Sequence, residues 1–194
     1  MKKINNLISV LMIAADLIYL IIFIMNKDLV RILMALLLPL LMFLPLIVKK
    51  RIKVNEYLRF IYYVYIFLLL FLGCIVNLYA KIYFYDSLAH FLFGIASSIF
   101  ALYVLKQFKK YDIKKKTFNI SYIIIMTLAL SAFWEILEFI NSKIFLLDVQ
   151  HVLTTGVNDT MKDIILALLG SLLFSIFYLY KIKENDKFID KIIE

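Results

Sequence analysis

NISYIIIMTLALSAFWEILEFIN, residues 119–141, contains two charged side chains, Glu135 and Glu138, in an otherwise almost wholly apolar run. A helix of about 20 apolar residues is long enough to cross the hydrocarbon of a bilayer. Five further runs have the same character, at 7–25, 30–48, 60–80, 86–106 and 160–180. The chain is 64% hydrophobic with a mean hydropathy of +0.93. A soluble domain of 194 residues has no interior large enough to hide that surface. The sequence therefore predicts an all-α, polytopic membrane protein, a six-transmembrane-helix bundle forming a single integral membrane domain over 1–194.

The first run follows Lys2 and Lys3 and superficially resembles a signal peptide. Its apolar core is too long, and Ile24-Met25-Asn26-Lys27 lacks the small residues of a cleavage site, so a retained helix is expected. Pro39 and Pro45 fall inside the second run, where each removes a helical hydrogen bond and predicts a kink. The single cysteine, Cys74, excludes an intramolecular disulfide and paired-cysteine metal motifs, and it reads as a small core residue.

The net charge is +8, yet no basic helix or nucleic-acid motif accompanies it, so nucleic acid is not an expected partner. The basic residues gather instead in alternate loops. Seventeen of the 22 lie before the first run, between runs two and three, between runs four and five, and after run six. Lys27, Arg31, Lys81, Lys143 and Lys162 lie on the other side. Basic loops stay inside, which predicts that both termini are cytoplasmic.

With that orientation, polar groups of three helices share a layer near the outer leaflet. Asp86 and His90 are four residues apart, Glu135 and Glu138 three, and Asp159 and Asp163 four, so each pair lies on one helix face. An ionisable group near a membrane centre costs about 2.5–3.5 kcal/mol on insertion scales, and such groups usually face a protein interior. The same faces continue as Gly94, Ser97 and Ala101, as Ser131 and Thr127, and as Ala167, Gly170 and Ser171. Small residues permit close helix approach in lipid, so these three faces are expected to meet. Asn77 and Gly73 of the third run are candidates to join them.

Plainer accounts stand beside this one. Asp86 and Asp159 each begin a helix, where the alternative role is that of a cap. For His90 the alternative is a buried histidine satisfied by Asp86, and for Glu138 a reach to the headgroups. Trp134 and Phe139 read as interface aromatics. Asp16, deep in the first run, either hydrogen-bonds a neighbouring helix or extends a polar path inward.

Five carboxylates and one imidazole in low dielectric need a compensating charge. A divalent cation, shared protons or a cationic substrate would each supply it. For a metal, Asp86, His90, Glu135, Glu138, Asp159 and Asp163 are the candidate ligands. The oxygens favour Mg, Ca or Mn, and the imidazole shifts the preference toward Mn or Zn.

At these residues the chain resembles the uncharacterised bacterial membrane-spanning proteins of the YjdF kind. The resemblance covers roughly residues 55–180. It rests on Asp86…His90-Phe91…Gly94, on Glu135-x-x-Glu138 after Trp134, and on Asp159-Thr160-x-x-Asp163 followed by Gly170. It implies a multi-pass protein of a bacterial plasma membrane and brings no established activity. Three functions compete: a metal-dependent enzyme on a lipid or envelope substrate, with Asp86 or Asp159 as general base; a small cation- or proton-coupled transporter; and a non-enzymatic module whose acids hold three helices together. Membrane lipid, and an ion or a lipid-like substrate, are the expected partners.

Overall fold

A tight turn decides how the first two apolar runs fold back on each other. α1 (Lys2–Met25) ends at Asn26, and Lys27 takes a left-handed φ of 55°. α2 (Leu29–Val48) then begins with the Arg31 backbone N–H donating to Asp28 Oδ1 at 3.1 Å. Asp28 thereby satisfies one of the N–H groups that a helix start leaves unpaired. The Arg31 guanidinium lies over the Phe23 ring at 5.6 Å, a contact across the hairpin.

This computed structural model describes residues 1–48, 54–145, 157–184 and 188–193. Among them there are no strands. Several basic-loop residues, Lys49, Lys50, Arg51, Lys53 and Lys187, lie outside the described residues.

The third apolar run differs from its expected course. α3 (Glu56–Ile66) starts on Asn55, whose Oδ1 accepts from the Leu58 N–H at 2.8 Å. It continues without a break as a π-helix over Phe67–Ile75. The Val76 N–H reaches back five residues to the Phe71 carbonyl at 2.8 Å, the spacing of that wider helix. Asn77 then adopts a left-handed φ of 67°, and a single turn, α4 (Leu78–Lys81), follows. The spanning helix therefore stops at Ile75 and not at 80. Two side-chain packings accompany the break. A Cβ on Gly73 would run into the Tyr79 ring, and Tyr85 Oη donates to the Leu68 carbonyl at 2.6 Å.

The remaining long helices are α5 (Tyr85–Gln107), α6 (Lys116–Phe145) and α7 (Asn158–Lys183). A short α8 (Phe188–Ile193) packs on α7. α6 and α7 overrun the expected bounds of 119–141 and 160–180 at both ends. Six helices, counting Glu56–Ile75 as one, are long and apolar enough to cross a membrane. The protein is an all-α membrane protein.

By packing, the chain falls into two units, Met1–Asp86 and Ser87–Ile193. The first has a core of Met12, Phe23, Leu38, Met42, Tyr63 and Phe71, among others. Leu7, Val10, Ile18 and Ile21 of α1 and Leu33, Leu36 and Leu40 of α2 are exposed, as lipid-facing side chains are. One end of this unit carries a polar network. Asn5 Nδ2 donates to the Glu56 carbonyl and carboxylate, and Arg59 joins Glu56 to Asn6.

α2 runs through both prolines, and the structure shows what replaces one lost bond. Pro45 has no N–H for the Leu41 carbonyl. Tyr62 Oη donates to that carbonyl at 3.0 Å, while Tyr63 Oη donates to the Met42 carbonyl at 3.1 Å. The Met42 carbonyl still has the Leu46 N–H four residues on. Tyr62→Phe should therefore cost about 1–2 kcal/mol, the penalty of a buried acceptor left unmade. Tyr63→Phe should cost less, and equal losses of thermal stability in the two variants would refute this assignment.

Candidate functional site

The site grows from the starts of α5 and α7. The division between the two units falls after Asp86, inside the first turn of α5, so one continuous helix carries both Asp86 and His90. Asp86 is the second residue of α5 and does not precede it as a cap. Asp159 likewise lies inside the first turn of α7, whose cap position is Val157. Acids in a first turn are favoured by the partial positive charge of the helix start.

One turn further in, α5 and α7 touch. His90 Nε2 lies 3.9 Å from Asp163 Oδ2, and both side chains are buried. One ligand atom from each of Asp86, His90 and Asp163 falls within 4.8 Å of the others. This approach is possible because the two backbones meet just below. A Cβ on Gly94 would collide with the Ala167 carbonyl, and a Cβ on Gly170 would collide with the Phe91 carbonyl.

Two hydrogen bonds fix where α6 stands against these helices. Ser97 Oγ bonds Thr127 Oγ1 at 3.1 Å, between α5 and α6. Asn119 Nδ2 donates to Tyr178 Oη at 2.7 Å, between α6 and α7. α6 runs antiparallel to both, so each pairing extends residue by residue. Counting outward from Thr127 places Glu135 opposite residue 89 of α5. Counting from Asn119 places it opposite residue 162 of α7. Glu135 is buried, and this count brings it level with the turn that carries His90 and Asp163.

The other two acids have their own partners. Glu138 Oε1 accepts from Trp134 Nε1 at 2.7 Å. Asp159 forms an ion pair with Lys162, whose Nζ also lies 3.7 Å from Asp163 Oδ1. The structure thus brings Asp86, His90 and Asp163 together, buries Glu135 on α6 outside that group of three, and engages Glu138 and Asp159 locally. Asn77 and Gly73 belong to the first unit, at the helix break described above.

Below the acids, α6 presents Ser131, Thr127 and Asn119 on one buried stripe, and α7 presents Ser171, Ser175 and Tyr178. Several hydroxyls donate to carbonyls of their own helix, as Ser98 does to Gly94 at 2.6 Å and Ser175 to Ser171 at 2.8 Å. At the far end Tyr178 also hydrogen-bonds Tyr111. Burial first, and then that bond, push the Tyr111 phenol well above its ordinary value. Sequence reasoning ended the α6 stripe at Thr127. Two further four-residue steps, through Ile123 to Asn119, were the signal that could have extended it.

The donor set is one imidazole nitrogen and two carboxylates. Metal–ligand bonds of about 2.0–2.4 Å put neighbouring ligand atoms roughly 3–4 Å apart. A spread of 4.8 Å closes to that by side-chain rotations of about an ångström. These are donor types that a small divalent cation accepts.

The sequence profile of a family described as "Predicted membrane protein (DUF2238)" matches residues 7–184. The chain belongs to this family. Its membrane character agrees with the six apolar helices and with the resemblance drawn from the acidic motifs. No curated protein and no solved structure matches the chain.

Proposed function

We propose that this DUF2238 protein binds a divalent cation through Asp86 and His90 at the start of α5 and Asp163 of α7, with Glu135 as a fourth ligand or as charge support. The observation that carries this reading is the convergence of three ligand atoms within 4.8 Å on helices pinned together by Gly94 and Gly170. One nitrogen among oxygens favours Mn or Zn over Mg or Ca. Lys162 supports the same reading. Its ammonium stands between Asp159 and Asp163 while the side chain is 45% exposed, so an arriving cation can take its place as counter-charge. The module role, three helices organised around a shared ion, is the minimum that such a site performs.

The experiment is thermal unfolding of purified protein with each metal and with chelator. A cation at about 100 times its dissociation constant stabilises by about 2.7 kcal/mol, or roughly 5–10 °C in Tm for a chain of this size. No gain with Mg, Ca, Mn or Zn would sink the reading.

In this proposal the protein lies in a bacterial plasma membrane, as the resemblance implies, and the lysine and arginine distribution supports an orientation with both termini cytoplasmic and the site under the outer surface. In a Cys74→Ser background, a membrane-impermeant maleimide applied outside should label Ser142→Cys or Thr154→Cys and spare cysteines at 107–118. The reverse pattern would invert the topology.

A further inference from the structure

α1, in the first unit, holds an acid of its own. Asp16 is 1% exposed, and neither of its carboxylate oxygens has a hydrogen-bond partner among the described residues. Asp16 lies mid-helix, nine residues from the end of α1 at Met25. The charged groups of the first unit sit toward its ends. Glu56 and Arg59 are tied to Asn5 and Asn6, at least ten residues and about 15 Å along the helix axis from Asp16. Arg31 and Asp28 lie at the other end, with Arg31 over Phe23, seven residues and about 10 Å away. An ionised carboxylate with no donor and no counter-charge in an apolar interior is strongly disfavoured.

A second observation concerns α2. Its two prolines strip two carbonyls of their helical donors, Ala35 by Pro39 and Leu41 by Pro45. Tyr62 supplies a donor to Leu41. Ala35 is fully buried. Counting equal numbers of residues back along α1 and forward along α2 from the turn at Lys27 brings Asp16 level with residue 38, within a helical turn of Ala35. A bare carboxyl and a stripped carbonyl thus share one layer of the first unit. Two acceptors need one hydrogen between them.

We propose that Asp16 is a proton-binding site of the first unit, a neutral carboxylic acid whose hydrogen serves the layer of the Ala35 carbonyl. Nothing in this proposal rests on the cation site. The acid is also a modification site for a lipid-soluble carbodiimide. Its proton passes to a carbodiimide nitrogen, the carboxylate oxygen adds to the central carbon, and the O-acylisourea rearranges to an N-acylurea that retains every atom of both reactants.

The test uses the full chain in membranes. Asparagine copies the shape and neutrality of the protonated acid and donates through its amide. Asp16→Asn should therefore keep the wild-type Tm within about 2 °C, and the infrared carbonyl band of a protonated carboxyl should be lost in that variant at neutral pH. Dicyclohexylcarbodiimide should add to the wild-type peptide containing Asp16, and a water-soluble carbodiimide should not. A variant that fails to fold, or an infrared spectrum with no protonated-carboxyl band dependent on Asp16, overturns the proposal. In either case Asp16 is ionised and held by a cation or by another chain.

Discussion

Gly94→Ala should be among the most destabilising single-methyl additions in the protein. A Cβ at Gly94 meets the carbonyl of Ala167, with the Ala167 carbonyl carbon 2.8 Å and its Cα 3.0 Å away. At Gly170 the new atom meets the Phe91 carbonyl, with Gly94 Cα 3.3 Å away. Every obstacle is backbone, so no side chain can rotate aside and α5 must move off α7. Overpacking of this kind costs about 1–3 kcal/mol, and bulkier residues cost more. Gly94→Leu should yield little folded protein. Gly73→Ala is the internal comparison, because there the obstacle is the edge of the Tyr79 ring, which can shift. Thermal unfolding in detergent should rank Gly94→Ala and Gly170→Ala well below Gly73→Ala. Equal Tm values for Gly94→Ala and wild type would show that the helices do not pack backbone to backbone.

The membrane fold was legible because hydropathy over 20 residues is a strong signal and loops between apolar helices are short. Helix ends were less so. The third helix stops at Ile75 because its last turns widen and Asn77 turns left-handed, and no apolarity scale registers either event. The small-residue faces of α5 and α7 were readable as contact faces from Gly94, Ala167 and Gly170. Local partners were also written in the spacing. Trp134 stands four residues before Glu138, and Lys162 three after Asp159, so both acids had an engagement available on their own helix. Long-range partners were not. Nothing near residue 5 announces Glu56, and nothing near Pro45 announces Tyr62. Such pairs depend on which helices neighbour each other, which a single sequence does not encode locally.

Removal of His90 or Asp163 should abolish the metal-dependent gain in Tm. Each contributes one of three atoms that lie within 4.8 Å, and a two-ligand remainder on one side of an ion binds weakly. His90→Ala removes the nitrogen. Asp163→Asn removes a charge beside Lys162, whose ammonium lies 3.7 Å from Asp163 Oδ1, so part of that ion pair is lost as well. The two effects separate in the chelated protein, where the change reports the apo interaction, and in the added-metal difference, where it reports the site. The gain of roughly 5–10 °C expected for wild type should fall below about 2 °C in either variant. Glu135→Gln tests the fourth position. Glu135 comes level with the turn of His90 and Asp163 by residue count, so loss of its charge should weaken metal affinity without abolishing it, and the gain should return at higher metal concentration. Leu137→Ala, on the exposed face of the same helix, should leave the metal difference unchanged. If Glu135→Gln matches wild type at every metal concentration, the ion is held by α5 and α7 alone. If His90→Ala retains the full gain, the acids and not the imidazole-centred cluster bind the metal, and the assignment of the site to Asp86, His90 and Asp163 fails.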